Sequence, residues 1–114
     1  MEFRKAESKD SERIANVLVE SYNIHDLKEG ISVFANEVKK GHNYIVAVDD
    51  GKVVGIVTWV MHGLLKHELC ELDRIAVLPE CRGKGIAKEL FNKLIEDAKA
   101  FYEKNNSKLR KLYL

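Results

Sequence analysis

The stretch with the most chemical content is Arg82-Gly83-Lys84-Gly85-Ile86-Ala87, a glycine-rich turn that runs straight into an apolar stripe. The stripe consists of Ile86, Leu90, Phe91, Leu94, Ile95, Ala98, Phe101 and Tyr102, and its spacing is helical. The turn therefore opens a helix whose first amides lack intrahelical partners and lie at the positive end of the macrodipole. Glycines at 83 and 85 remove the side chains that would hold an anion off, while Arg82 and Lys84 add positive charge at the rim. This combination suits a phosphate or a pyrophosphate. Upstream, Glu71 and Asp73 are alternate residues of a strand-like run, so they share a face, and a carboxylate on that face could accept a proton. Anion binding and proton transfer are thus the two chemistries on offer.

Neither is yet specific. The turn lacks the third glycine of a dinucleotide-binding fingerprint and the Gly-Lys-Ser/Thr ending of a P-loop. A bare strand-to-helix connection, with no ligand, would look much the same. His62, His67 and Glu68 fall short of a His-Glu-x-x-His zinc pattern, because position 71 is Glu and the segment reads as strand. No metal is expected.

The elements that must position these residues are readable from periodicity. Met1–Lys5 is a short strand candidate. Ser8, Asp10 and Ser11 offer helix caps before Ile14, Val17, Leu18 and Tyr22 at helical spacing. The segment 23–30 breaks that pattern, and a second amphipathic helix begins at Ile31 and stops at Lys40-Gly41. Two β-rich runs, 44–48 and 53–61, flank Asp50-Gly51, a hairpin signal. Residues 69–77 alternate, with Leu72, Arg74 and Ala76 expected on one face and Glu71, Asp73, Ile75 and Val77 on the other. Pro79 ends this strand. After the motif helix, Leu109, Leu112, Tyr113 and Leu114 form a last strand. The order is β-α-α-β-β-β-α-β, an α/β (α+β) fold with a mixed, mostly antiparallel sheet.

Bulk properties agree with one domain over residues 1–114. Hydrophobic residues make up 46% of the chain, enough to build a core. The net charge of +1 gives no pull toward nucleic acid or an anionic membrane, and neither is expected as a partner. Cys70 and Cys81 are too few for a disulfide framework and read as free thiols. No segment reads as a signal peptide or a bilayer span, so a cytoplasmic location is expected.

With its lead-in Ile75-Ala76-Val77-Leu78-Pro79-Glu80, the turn matches Arg/Gln-x-x-Gly-x-Gly/Ala and resembles the acetyl-CoA-binding motif of the GNAT superfamily. The resemblance extends over nearly the whole chain. It implies that amides from Gly83 through Lys84, Gly85, Ile86 and Ala87 to Lys88 hold the coenzyme A pyrophosphate. It implies pairing of the pantetheine arm with the backbone of Ile75, Ala76 and Val77, and an oxyanion near the Val77 amide. Glu71 is the implied base, with Asp73 as second candidate. Tyr22 and His25 fall where family members form part of the acceptor pocket. The implied activity is acetyl transfer from acetyl-CoA to a primary amine by direct attack in a ternary complex. A catalytically silent coenzyme-A-binding module is the alternative. The family usually continues past the last strand seen here, so the domain is expected to be C-terminally incomplete, with an exposed edge and a possible homodimer.

Overall fold

The computed structural model describes all 114 residues. The elements are β1 (Glu2–Lys5), α1 (Ser11–Ser21), α2 (Leu27–Lys39), β2 (Asn43–Asp49), β3 (Lys52–Met61), β4 (Leu69–Val77), α3 (Ile86–Lys104) and β5 (Lys111–Tyr113). The five strands lie in sequence order in one sheet. Pairings are antiparallel from β1 to β4, and β5 joins β4 in parallel. That last pairing needs a crossover, which α3 supplies.

The helices sandwich the sheet. Trp59 of β3 donates its Nε1–H to Asp97 of α3 at 2.9 Å. The next residue back, Thr58, lies opposite Tyr44, whose hydroxyl donates to Glu37 of α2 at 2.6 Å. Successive strand residues point to opposite faces, so α3 covers one face and the α1–α2 pair the other. The core fills both layers, with Ile14, Val17 and Leu18 from α1 and Leu90, Leu94, Ala98 and Tyr102 from α3, all fully buried. At the end of α3, Tyr102 is core as the stripe suggests, whereas Phe101 is exposed and rests edge-on against Trp59. No helix is long and apolar enough to cross a membrane.

Three local features follow from identifiable residues. Asp50 and Gly51 adopt φ of 51° and 74°, the left-handed pair that a two-residue hairpin requires. The second helix begins four residues before the expected Ile31, because Asp26 caps it by accepting from the Glu29 amide at 2.9 Å. Gly30 then lies inside the helix. A Cβ there would stand 2.8 Å from the Cβ of Ala15, so the glycine is what lets α2 sit against α1.

The third feature corrects the expected alternation in β4. Thr58 lies opposite Arg74 and Trp59 opposite Leu72, which leaves Asp73 as an extra residue in a β-bulge. Leu72 therefore shares the α3 face with Trp59. Arg74 shares the α1–α2 face with Thr58, and its guanidinium reaches Glu37 of α2. Leu72 and Arg74 do not point the same way. The bulge turns Asp73 and Arg74 to the same side, and Glu71, opposite Val60, joins them there.

Candidate active site

The strand-to-helix turn builds a cradle. Gly83 and Gly85 take φ of 82° and 79°, a conformation that L side chains rarely adopt. A Cβ at either position would meet no protein atom within 4 Å, so the space in front of the turn is open. The first intrahelical bond of α3 runs from the Glu89 amide to the Gly85 carbonyl at 3.1 Å. The amides of Ile86, Ala87 and Lys88 thus have no acceptor within the helix, and no side chain caps it. Arg82, Lys84 and Lys88 are exposed around the rim. Arg82 is tethered, with Nε donating to the Val77 carbonyl at 3.0 Å.

The cradle opens into a groove of about 430 Å³ bounded by Tyr22, Ile75, Val77, Cys81, Gly85 and Ile86, among others. Its floor is the unpaired edge of β4. The β5 strand pairs only with Leu69–Glu71 and leaves the rest of β4 uncovered on that side. Hydrogen bonding alternates along an antiparallel strand. The Leu78 amide donates to Val54 of β3, so Ala76, two residues earlier, turns its peptide groups to β3 as well. Ile75 and Val77 turn theirs to the groove. The contacts agree: the Ile75 amide donates to the Tyr22 hydroxyl, which in turn donates to the Ile75 carbonyl, both at 3.1 Å. Ala76 lines the groove without turning its peptide groups to it. Tyr22 takes up both groups of Ile75 and Arg82 takes the Val77 carbonyl, which leaves the Val77 N–H as the free backbone donor of this edge.

On the α1–α2 side of β4, each candidate carboxylate has a histidine beside it. Glu71 Oε1 lies 3.1 Å from His62 Nδ1, and Asp73 Oδ2 lies 3.3 Å from His42 Nδ1. Beyond them runs a half-buried chain of polar groups. Glu37 binds Arg74 at 2.8 Å and the Tyr44 hydroxyl at 2.6 Å, and the Arg74 guanidinium lies 4.8 Å from the centre of the Tyr22 ring. Burial by itself would raise the Glu37 carboxyl, but hydrogen bonds from Arg74 and Tyr44 prevail and hold it below the usual carboxylate range. Burial pushes the Tyr22 phenol upward, against its bond to Ile75. Burial followed by the bond to Glu37 pushes the Tyr44 phenol upward as well.

Glu37, His42 and Asp73 could place one ligand atom each within 4.8 Å of one another. Glu37, however, already neutralises Arg74 and accepts from Tyr44, so a cation there would compete with the guanidinium for the same carboxylate.

The family model for the acetyltransferase (GNAT) family matches residues 9–114. The chain belongs to that family. It is 29% identical over 110 residues to an uncharacterized N-acetyltransferase of Archaeoglobus fulgidus, covering 86% of this chain and 74% of the relative. It superposes on a ribosomal-protein-alanine N-acetyltransferase of Brucella melitensis biovar Abortus 2308 with a TM-score of 0.76 at 22% identity, over 99% of this chain and 77% of that one. A GNAT family acetyltransferase of Brucella melitensis, solved in complex with acetyl-CoA, gives a TM-score of 0.70 at 24% identity, over 88% of this chain and 69% of that one. The GNAT sheet, with its parallel last pairing, is therefore the fold of this chain.

Within this GNAT domain the residues singled out from sequence do not all meet. Ile75, Ala76, Val77, Arg82, Gly83, Gly85, Ile86, Ala87 and Lys88 line one groove, and Tyr22 joins them from the end of α1. Lys84 stands on the exposed rim. His25 lies outside the groove, in the turn before α2, where its amide donates to Glu29 at 3.0 Å. His67 is structural, its Nδ1 accepting from the Leu64 amide at 2.9 Å. His42, Arg74, Glu37 and Tyr44 stand beside the candidate site without a signal in the sequence. No local pattern marks them, because each acts through a partner on another element.

Proposed function

We propose that the chain binds acetyl-CoA in this groove and transfers the acetyl group to a primary amine by direct attack in a ternary complex. One observation carries the reading: the cradle amides of Ile86–Lys88 and the edge N–H of Val77 border a single groove that no neighbouring strand fills. A pyrophosphate carries the charge that suits the cradle. The amide-rich pantetheine arm suits a strand edge, which it can pair as an added strand would. A nucleotide has the phosphates but no such arm. The acetyl-CoA bound to the Brucella relative is consistent with the same use of the fold.

In the transfer, a neutral amine attacks the thioester carbonyl carbon, forming the C–N bond. The carbonyl oxygen gains negative charge and is stabilised by an edge amide of β4. The nitrogen gives up a proton, directly or through water, to the carboxylate of Glu71, with Asp73 as the second acceptor on the same face. The C–S bond then breaks, and the thiolate leaves with its electron pair and takes up a proton. His62 beside Glu71 can pass the accepted proton on to solvent, since it is half exposed.

The test is release of free coenzyme A thiol from acetyl-CoA in the presence of a panel of primary amines, with ATP as competitor. Amine-dependent thiol release that ATP does not suppress is expected. Binding of coenzyme A without turnover on any amine would favour a silent binding module. Displacement by ATP at equal concentration would favour a nucleotide site.

A further inference from the structure

The groove ends on a clamped ring. Tyr22 follows the last turn of α1, and its hydroxyl bridges the N–H and C=O of Ile75 at 3.1 Å each. Arg74 lies over the ring, held by Glu37 through contacts of 2.8 and 3.4 Å. Glu37 is fixed in turn by the Tyr44 hydroxyl. Groups from α1, α2, β2 and β4 thus converge on the placement of one aromatic side chain. Water alone could satisfy the edge groups of Ile75, so satisfying them does not require this arrangement.

We infer that Tyr22, positioned by Arg74 and Glu37, is the end wall of the acyl channel and restricts the co-substrate to short acyl groups. The inference rests on the coenzyme A reading above. With the pyrophosphate at the cradle, the thioester is the far end of the molecule, and the groove between cradle and Tyr22 is the path along which it extends. An acyl chain continuing along the edge of β4 runs into the ring. An acetyl group stops short of it. Tyr22 is thereby a specificity residue, and Arg74 and Glu37 are positioning residues.

Binding of acetyl-CoA and hexanoyl-CoA by isothermal titration calorimetry tests this without knowledge of the acceptor. Each methylene newly buried improves affinity roughly fourfold, so an opened channel should be plain in the ratio of the two dissociation constants. The wild-type chain is expected to bind acetyl-CoA at least as tightly as hexanoyl-CoA. Tyr22→Phe keeps the ring and should keep the ratio. Tyr22→Ala should shift the ratio toward hexanoyl-CoA by about tenfold or more, and Arg74→Met in the same direction by less. If Tyr22→Ala does not fold, Tyr22→Leu, which keeps an apolar side chain against the core, carries the same expectation. A ratio in the folded variant within about twofold of wild type overturns the wall while leaving the coenzyme A site intact. Failure of the wild-type chain to bind acetyl-CoA, hexanoyl-CoA or coenzyme A overturns both readings.

Discussion

The two halves of β4 are built for opposite ends. Leu69–Glu71 is closed on both edges, paired with β3 on one side and β5 on the other. The Leu69 carbonyl accepts from the His62 amide and from the buried Tyr102 hydroxyl, and the Cys70 thiol is buried enough to be pushed up to about 11. From the bulge at Asp73 onward the strand has one neighbour, and Ile75 and Val77 aim peptide groups at a groove. An open strand edge is ordinarily a liability that invites association. Here α1 and the Gly83–Gly85 turn flank it, Tyr22 and Arg82 take up three of the four backbone groups that Ile75 and Val77 turn outward, and the Val77 N–H is left facing the groove. The closed half carries Glu71, the proposed proton acceptor, and the open half leaves the Val77 N–H free. Positioning and binding ask for these different properties.

If that division holds, the halves can be damaged separately. The largest effect is expected from Glu71→Gln. It removes the proposed proton acceptor on the closed half and should lower amine-dependent turnover about a hundredfold near neutral pH, with coenzyme A affinity unchanged. The loss should shrink as pH rises, because more of the acceptor amine is then neutral. A rate unaltered across the pH range would leave Glu71 as a solvated strand residue.

A smaller effect falls on the open half. Gly85→Val and Gly51→Val both place a branched side chain at positive φ with no protein atom nearby, so both should cost stability, by about 1 kcal/mol or more. Only Gly85→Val puts that side chain where the phosphates would lie. It should abolish the rise in Tm that coenzyme A produces in wild type, while Gly51→Val keeps it. Equal shifts in both folded variants would break the cradle assignment.

The smallest effect on either half is expected from Asp10→Asn. Asp10 is buried and accepts from Arg4 at 2.8 and 3.0 Å and from the Glu7 amide at 2.7 Å, far from the groove. The Arg4 guanidinium, foremost among these contacts, holds the Asp10 carboxyl below the usual carboxylate range. Its contribution is therefore present above the unfolded-state value and is lost as pH falls through the lower folded value. Chemical denaturation should show the variant about 2 kcal/mol less stable near neutral pH, with the difference closing in acid and coenzyme A affinity unchanged. A gap that stays constant into acid would mean that packing, and not charge, supplies the difference.

The open half was the more legible in sequence. Glycine at positive φ and a helical stripe beside a strand are local signals, so Gly83, Gly85 and α3 could be read directly. The closed half depends on encounters between distant residues. The bulge at Asp73 is set by registry against β3, and strict alternation misplaces Arg74 because of it. Gly30 looks like a breaker until Ala15 is seen against it. His42 and Glu37 acquire their roles only when α2 is laid on the sheet beside β4. Asp10 and Ser11 read equally well as helix caps, and it is the reach of Arg4 from β1 that claims Asp10. The backbone-binding part of the site is thus written in contiguous residues, and the side-chain part in tertiary contacts.

Amide hydrogen exchange along β4, with and without coenzyme A, tests the division most directly. Leu69, Cys70 and Glu71 should be slow and unchanged by ligand, while the Val77 amide should exchange rapidly when free and gain strong protection on binding. Uniform protection along the strand, or no change at Val77 under saturating coenzyme A, would contradict the account.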